Sequence, residues 1–250
     1  ISQDSSSFLR DVGEKEGLIK LIDAVEQIEG VKSARILYLY PTTTSNALIE
    51  RIIASPVFHN YFDMPIQHIS DSMLKRMKRG AGRERIIEQL ELMKKAPNSF
   101  IRTSFIVGHP GESETEFQEL LDFTKAFDFD RVNIFAYSDE EDTSAYEMEE
   151  KIDTKTINKR IKQLDKLVQA KTKKSFEKEV GKEVLILIEG ESSEHEFFLG
   201  ARELLWAPTI DGEILVNDSD IEGIRVGGCY RAKISECAGD KLIATITSVA

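Results

Sequence analysis

Arg102 to Phe117 reads RTSFIVGHPGESETEF. Its first part, Arg102 to Val107, is short, largely apolar and rich in β-branched and aromatic residues, which predicts a buried strand. Gly108-His109-Pro110-Gly111 then breaks regular structure, because Pro110 carries no backbone donor and the two glycines tolerate positive φ. Ser113 and Glu116 form an S-x-x-E capping box ahead of an apolar-periodic run. The stretch is therefore strand, Gly/Pro loop, helix start. Such a loop turns backbone N–H groups and the positive end of a helix dipole toward whatever lies above the sheet. It serves either packing or a ligand, and the residues alone leave both readings open.

Outward from this stretch the chain alternates. Gly17 to Ile28 has helical period, with Leu18, Leu21, Ile22, Val25 and Ile28 on one face, and Gly30 ends it. Ala34 to Tyr40 is predicted as a strand, stopped by Pro41, and Thr43 to Ala54 as a helix. Tyr61 to Gln67 is the next strand. A short helix through Met77, capped by Ser70 or Asp71, is separated by Gly80 and Gly82 from a second, Arg83 to Lys95. The focal strand and helix follow, then a strand from Arg131 to Tyr137 and an acidic loop, Asp139 to Asp142. Repeated strand–helix alternation predicts an α/β fold with a parallel sheet, barrel or doubly wound. Right-handed crossovers place every βα loop at one end of that sheet. Those loops carry Gln3-Asp4, Pro41-Thr42, Gln67 to Ser70, Gly108 to Glu112, and Ser138 to Asp142, so an active site is expected there.

Strand parity sharpens the expectation. Phe62, Met64 and Ile66 alternate with Asp63, Pro65 and Gln67; Thr103, Phe105 and Val107 with Arg102, Ser104 and Ile106; Val132, Ile134 and Ala136 with Asn133, Phe135 and Tyr137. One face suits helix packing. Asp63, Gln67, Ser104 and Asn133 on the other face are costly unless solvated or bound.

Asp153 is placed to cap a long helix from Thr154 to about Lys178, whose stripe is Ile157, Ile161, Leu164, Leu167 and Val168 and whose charged remainder reads as a solvated face. After Gly181 the texture changes to five short strands (Glu183–Ile188, Glu196–Ala201, Glu213–Val216, Cys229–Ile234, Leu242–Val249) divided by Gly, Asp and Ser turns. That pattern predicts a small closed β-barrel. The expected domains are 1–175, with 154–178 as a linker helix, and 176–250.

The composition narrows the function. The 250 residues carry a net charge of −11, most of it in the barrel, where 7 Lys and Arg face 15 Asp and Glu from Glu177 onward. An acidic barrel repels phosphate and attracts a basic partner; the bland alternative is a merely solubilising charge. Cys229 and Cys237 are the two cysteines, as expected of a reducing cytosol, and they lack metal-ligand spacing. His59, His68, His109 and His195 are scattered and read as structural. No apolar run reaches the length of about 18 residues that a membrane span requires. Residues 1–20 do not read as a signal peptide. The opening ISQDSSSF, with no initiator Met, reads as a segment of something longer.

The segments SQDSSSF, YFDMPIQHISDSMLKRMKRG, RTSFIVGHPGESETEF and FDRVNIFAYSDEEDTSAY resemble the radical-SAM methylthiotransferases, and the small barrel resembles their C-terminal TRAM domain, which is OB-like. Gln3-Asp4, Pro65-Ile66-Gln67-His68 and Tyr137 to Glu141 match the branch acting on an aspartate of a small-subunit ribosomal protein more closely than the tRNA-modifying branch. His109 stands where Phe is usual, Ser113 where Thr is usual and Asp142 where Gly is usual. The resemblance implies a partial (β/α) radical-SAM barrel followed by TRAM. It implies S-adenosylmethionine and [4Fe–4S] clusters as cofactors, and transfer of a methylthio group to an aspartate β-carbon. A basic ribosomal protein is the implied partner, met through the acidic TRAM domain in the cytoplasm, with tRNA as the alternative. On the same footing Gln67, Ser104, Gly108, Pro110, Glu112 and Tyr137 are the candidate cofactor-binding residues. The family's cluster-binding cysteine loop has no counterpart here, so the chain by itself is expected to be inactive. A non-catalytic barrel carrying an acidic binding module is the rival of a different class.

Overall fold

The computed structural model describes residues 3–192, 194 and 196–250; Ile1 and His195, both weighed above, lie outside them. The chain divides into two compact units between Val168 and Gln169.

In the first unit, two single 3-10 turns (Ser5–Ser7 and Arg10–Val12) precede helix α1 (Gly17–Glu26). Then follow β1 (Ala34–Ile36), α2 (Asn46–Ile53), β2 (Phe58–Asp63), α3 (Asp71–Arg76), α4 (Arg83–Lys94), β3 (Phe100–Val107), α5 (Glu114–Ala126) and β4 (Arg131–Ala136). The strands form one parallel four-stranded sheet in the order β1-β2-β3-β4. The register sets Asp63 beside Arg102 and Ser104 beside Asn133. Helices cover one face, where Phe62, Met64, Ile66, Phe105, Val107, Phe117 and Leu120 are wholly buried. The other face carries the polar residues singled out by parity.

Several boundaries differ from the sequence expectation. β1 stops at Ile36 because Tyr38 takes φ 60. α2 starts at Asn46, where the Ser45 hydroxyl accepts the Leu48 N–H at 3.1 Å, leaving Thr43 and Thr44 in the loop. β2 ends at Asp63, before Pro65, which has no N–H for a ladder. The chain nevertheless stays on the sheet through Gln67, whose N–H donates to Ser104 O (2.9 Å) and whose carbonyl accepts Ile106 N–H (3.0 Å).

The second unit is a closed barrel of β5 (Glu183–Glu191), β6 (Leu199–Glu203), β7 (Ile214–Ser219), β8 (Cys229–Ala238) and β9 (Lys241–Val249), ordered β5-β6-β7-β9-β8. Ile186 and Ile188, Ile214 and Val216, Tyr230, Ala232 and Ile234, and Leu242, Ala244 and Ile246 alternate inward with the period of a strand. Cys229 and Cys237 are free thiols of β8, and burial pushes the Cys237 thiol up. Helix α6 (Thr154–Glu177) contains the junction between the units, earlier in the chain than the expected boundary at 175. No described helix is long and apolar enough to cross a membrane.

The capping box forms. Ser113 N–H donates to Glu116 Oε2 at 2.7 Å and Glu116 N–H to Ser113 Oγ at 3.2 Å. Ser72 and Arg76 of α3 also donate to this carboxylate, so the cap of α5 doubles as its tie to α3. Burial opposes the charge on Glu116, yet the hydrogen bonds from Ser72 and Ser113, with the Arg76 charge, hold the carboxyl down at about 2. A depressed carboxylate stabilises the fold above its unfolded pKa, and that contribution fades as pH falls toward the folded value. Glu116→Gln should therefore lower the melting temperature at pH 7 and lose less than the parent on acidification from about pH 4.5 toward 2. Thermal melts across that range check it; parallel curves for the two proteins would contradict it.

Candidate active site at the mouth of the parallel sheet

A cavity of about 600 Å³ lies over the polar face of the sheet, lined among others by Asp63, Gln67, Arg79, Arg102, Ser104 and Asn133. A second, of about 440 Å³, shares Gln67, Arg79 and Phe135 with it and adds Ile106, His109 and Tyr137. Both sit where β2, β3 and β4 deliver their C-terminal ends, the usual place for a ligand in a parallel α/β fold.

The charged groups are held from behind. Arg102 Nη1 donates to Asp63 Oδ1 at 3.2 Å, and the other carboxylate oxygen accepts the Tyr38 N–H at 3.0 Å. Asp4 is a clamp: Thr43 Oγ1 donates to its Oδ2 at 2.9 Å and Ser6 Oγ to its Oδ1 at 2.5 Å, fastening the first 3-10 turn to the loop after β1. Arg79 crosses the mouth, donating to Pro65 O at 2.5 Å with its guanidinium 4.2 Å from the Tyr40 ring centroid. Burial pulls its guanidinium below the ordinary value.

Gln67 is strained. It has φ 68, a left-handed conformation that costs a non-glycine residue roughly 1–3 kcal/mol and persists only where its surroundings over-determine it. The two backbone bonds to β3 do so, and the side chain is thereby offered to both cavities.

The loop after β3 behaves differently from the expectation that it lines one cavity with Gln67 and Ser104. His109 reaches the second cavity, but Gly108, Pro110 and Glu112 line neither. Glu112 is buried beneath the mouth. Its Oε2 accepts the Gly108 N–H and lies 3.4 Å from Arg160 Nη1 of α6, which also donates to the Glu112 carbonyl at 2.9 Å. Its Oε1 faces His68 Nε2 across 3.8 Å. His68 Nδ1 accepts the Ser70 N–H at 3.0 Å, so the hydrogen-bond pattern assigns the ring proton to Nε2, toward Glu112. A Cβ on Gly108 (φ +87) would meet Ile157 Cγ1 of α6 at 2.5 Å, so glycine is required by both conformation and space.

Tyr137 stands at the rim. Its ring meets His109 edge-on at 5.3 Å and its hydroxyl donates to Asp139 at 2.9 Å, while Lys151 also binds Asp139. Burial and the Asp139 carboxylate push the Tyr137 hydroxyl up to about 12, so it acts as a donor rather than a base. Burial keeps His109 below its ordinary value and therefore neutral at pH 7.

Reading the sequence did not pick out Arg79 or Arg160. Arg160 had a signal: it falls between Ile157, Ile161 and Leu164, on the apolar side of α6. Arg79 sits in a basic run between two helices and has no pattern of its own.

The strain at Gln67 yields a sign test. Gln67→Gly should be more stable than Gln67→Ala by about 1 kcal/mol, reversing the usual preference for alanine, because only glycine takes positive φ freely. Urea unfolding of both variants measures it; an alanine variant equal to or more stable than the glycine one would contradict the assignment.

The site can be set beside known proteins. The Radical SAM superfamily matches residues 7–124, and the TRAM domain matches residues 180–247. The chain is 59% identical over 244 residues to "Ribosomal protein uS12 methylthiotransferase RimO" of Campylobacter jejuni (strain RM1221), covering 98% of this chain and 55% of that one. It is 57% identical over 247 residues to the protein of the same name from Wolinella succinogenes, covering 99% and 56%. For that of a Nitratiruptor species the identity is 56% over 246 residues, covering 98% and 57%. The chain thus spans a little over half the length of these relatives. Among solved structures, coproporphyrinogen III oxidase (HemN) from Escherichia coli, a radical SAM enzyme, superposes with a TM-score of 0.54 at 14% identity, over 64% of this chain and 38% of that one. That likeness concerns the fold alone. With a Radical SAM segment, a TRAM domain and this identity along nearly its whole length, the chain belongs to the RimO-type radical-SAM methylthiotransferases.

Proposed function

We propose that this chain supplies the substrate-binding mouth and the TRAM domain of a methylthiotransferase that modifies an aspartate β-carbon in a basic small-subunit ribosomal protein, in the cytoplasm. The observation that carries the reading is the donor set of the mouth. Gln67, Ser104 and Asn133 present amide and hydroxyl groups, and Asp63 and Arg102 present one charge of each sign, in a cavity of about 600 Å³. That set and size fit S-adenosylmethionine, which carries an ammonium, a carboxylate, a ribose and an adenine. When bound, S-adenosylmethionine supplies the oxidising equivalent that opens an unactivated C–H bond.

The chain's own residues then bind, orient and exclude water. Gln67 and Ser104 are positioned to hydrogen-bond the ligand's polar edges, and the Asp63–Arg102 pair offers a carboxylate and a guanidinium to its zwitterionic end. Arg79 and Tyr40 border the side of the mouth, and the half-exposed Phe135 offers an apolar surface for covering the ligand, as suits radical chemistry. Tyr137, held as a neutral donor, guards the rim. An iron–sulfur cluster does not fit these residues. Its ligands are thiolates, and both cysteines lie on β8 of the barrel.

The barrel's free acid is distributed more narrowly than its sequence implies. Glu189 is paired with Arg202, Glu194 and Glu213 share Lys241, and Asp211 is buried, accepting the Ala207 N–H at 2.7 Å. The exposed acid that stays outside these pairs lies at Glu191 and Glu196 in the run 189–196 and at Asp218, Asp220 and Glu222 in the run 211–222, and it is what the barrel offers a basic protein. The barrel's basic residues are a weaker platform for tRNA, since Arg231 is engaged by Glu183 at 3.2 Å.

Titration calorimetry of S-adenosylhomocysteine into the chain tests the site. Binding is expected, weakened at least about tenfold in Gln67→Ala, roughly the 1.4 kcal/mol of one good hydrogen bond, with the thermal melt still cooperative. Anaerobic incubation with iron and sulfide is expected to leave the chain without a stoichiometric visible chromophore. Equal binding by parent and variant would move the ligand elsewhere, and a stoichiometric cluster would overturn the assignment of its ligands.

A further inference from the structure

Helix α6 carries a second feature that the mouth does not use. Lys155, Lys159, Lys162 and Lys166 fall at spacings of four, three and four residues, so they stand in one row along the helix. The row is about 16 Å long at the α-helical rise. All four are exposed, and none makes an ion pair or hydrogen bond among the described residues. They border an open depression of about 830 Å³, together with Thr154, Asn158 and Gln163.

This is unusual for a chain of net charge −11. Surface lysines on a helix gain from carboxylates three or four positions away. At those spacings α6 offers the row only one carboxylate, Asp165, three positions after Lys162. Like charges at such spacings repel, so the row costs stability in the free protein. The opposite face of the helix packs through Ile157, Arg160, Ile161 and Leu164, so the lysine face is the one left to solvent.

We propose that this row binds the phosphate backbone of an RNA strand. The lining decides the class of partner. It holds four point cations and three uncharged hydrogen-bonding side chains, with no apolar or aromatic residue and no carboxylate. A protein partner needs an apolar or aromatic centre, and lysine is depleted from such interfaces. Phosphate recognition without sequence reading needs only cations plus hydroxyl and amide donors. The inference stands apart from the function of the mouth, because it concerns a surface of α6 and requires neither S-adenosylmethionine nor the acidic barrel.

Fluorescence anisotropy with the full 250-residue chain and a labelled oligouridine of about twenty nucleotides tests it. Four phosphate contacts predict a slope of log K against log salt of about −2.8, hence an affinity loss of about fifty-fold between roughly 50 and 200 mM salt. Reversing all four lysines to glutamate should abolish binding, and the milder Lys→Gln set at the same positions should weaken it at least about tenfold. Replacing all four by arginine should preserve it. Circular dichroism confirms that each variant keeps its helix content. As a charge-matched control, Lys15, Lys20, Lys32 and Lys95 reversed to glutamate should bind like the parent. Absence of binding at about 50 mM salt would overturn the proposal. So would equal loss in the control, which means net charge alone, or equally tight binding of poly-glutamate, which means an acidic protein as partner.

Discussion

The buried carboxylate of Glu112 is the constraint on which the mouth depends. A charge removed from water costs several kcal/mol unless partners replace its hydration. Here the replacement comes from two separate parts of the chain, the Gly108 N–H of its own loop and the guanidinium of Arg160 on α6, while the imidazole of His68 faces the second carboxylate oxygen at 3.8 Å without a hydrogen bond. Holding this carboxylate therefore ties the loop after β3 to the start of α6. Gly108 completes the joint, since Ile157 occupies the place of any side chain there.

From that joint the polar face follows. The sheet register sets Asp63 against Arg102, which form an ion pair, and Ser104 against Asn133, so the polar side chains gather on one face. Gln67 continues this face beyond the end of β2 at the expense of backbone strain, and its two bonds to β3 hold it there. Strain of this kind is retained where a side chain must point in one direction, which agrees with a binding role for the mouth. Asp4 and Thr43 close the far side, so the groups lining the cavity are braced by a neighbouring turn or strand.

Much of this was legible in the sequence. The period-two alternation through Asp63–Gln67, Arg102–Ile106 and Asn133–Tyr137 assigned the polar face, because a strand gives its side chains only two directions. The S-x-x-E box located the start of α5 for an equally local reason. The five barrel strands were marked by their turns, although β5 and β8 run several residues longer than expected. What was not legible depends on tertiary contact. Glu112 in a Gly/Pro loop reads as a ligand-facing acid, yet it points inward because Arg160, distant in sequence, neutralises it. The acid of the barrel reads as a single excess of charge, whereas Arg202 and Lys241 pair with Glu189, Glu194 and Glu213 across strands. Pairing between residues far apart in the chain leaves no periodic trace.

The most direct measurement of the account is a double-mutant cycle between Glu112→Gln and Arg160→Met, read by urea unfolding. Arg160→Met leaves the buried carboxylate without its cation and should cost about 3–5 kcal/mol, and Glu112→Gln should cost less, because Arg160 keeps Glu114 at 3.2 Å. The double variant should cost no more than the worse single one, giving a coupling well above about 1 kcal/mol. Single costs within about 0.5 kcal/mol of zero, or strictly additive effects, would show that the carboxylate does not hold the loop and α6 together.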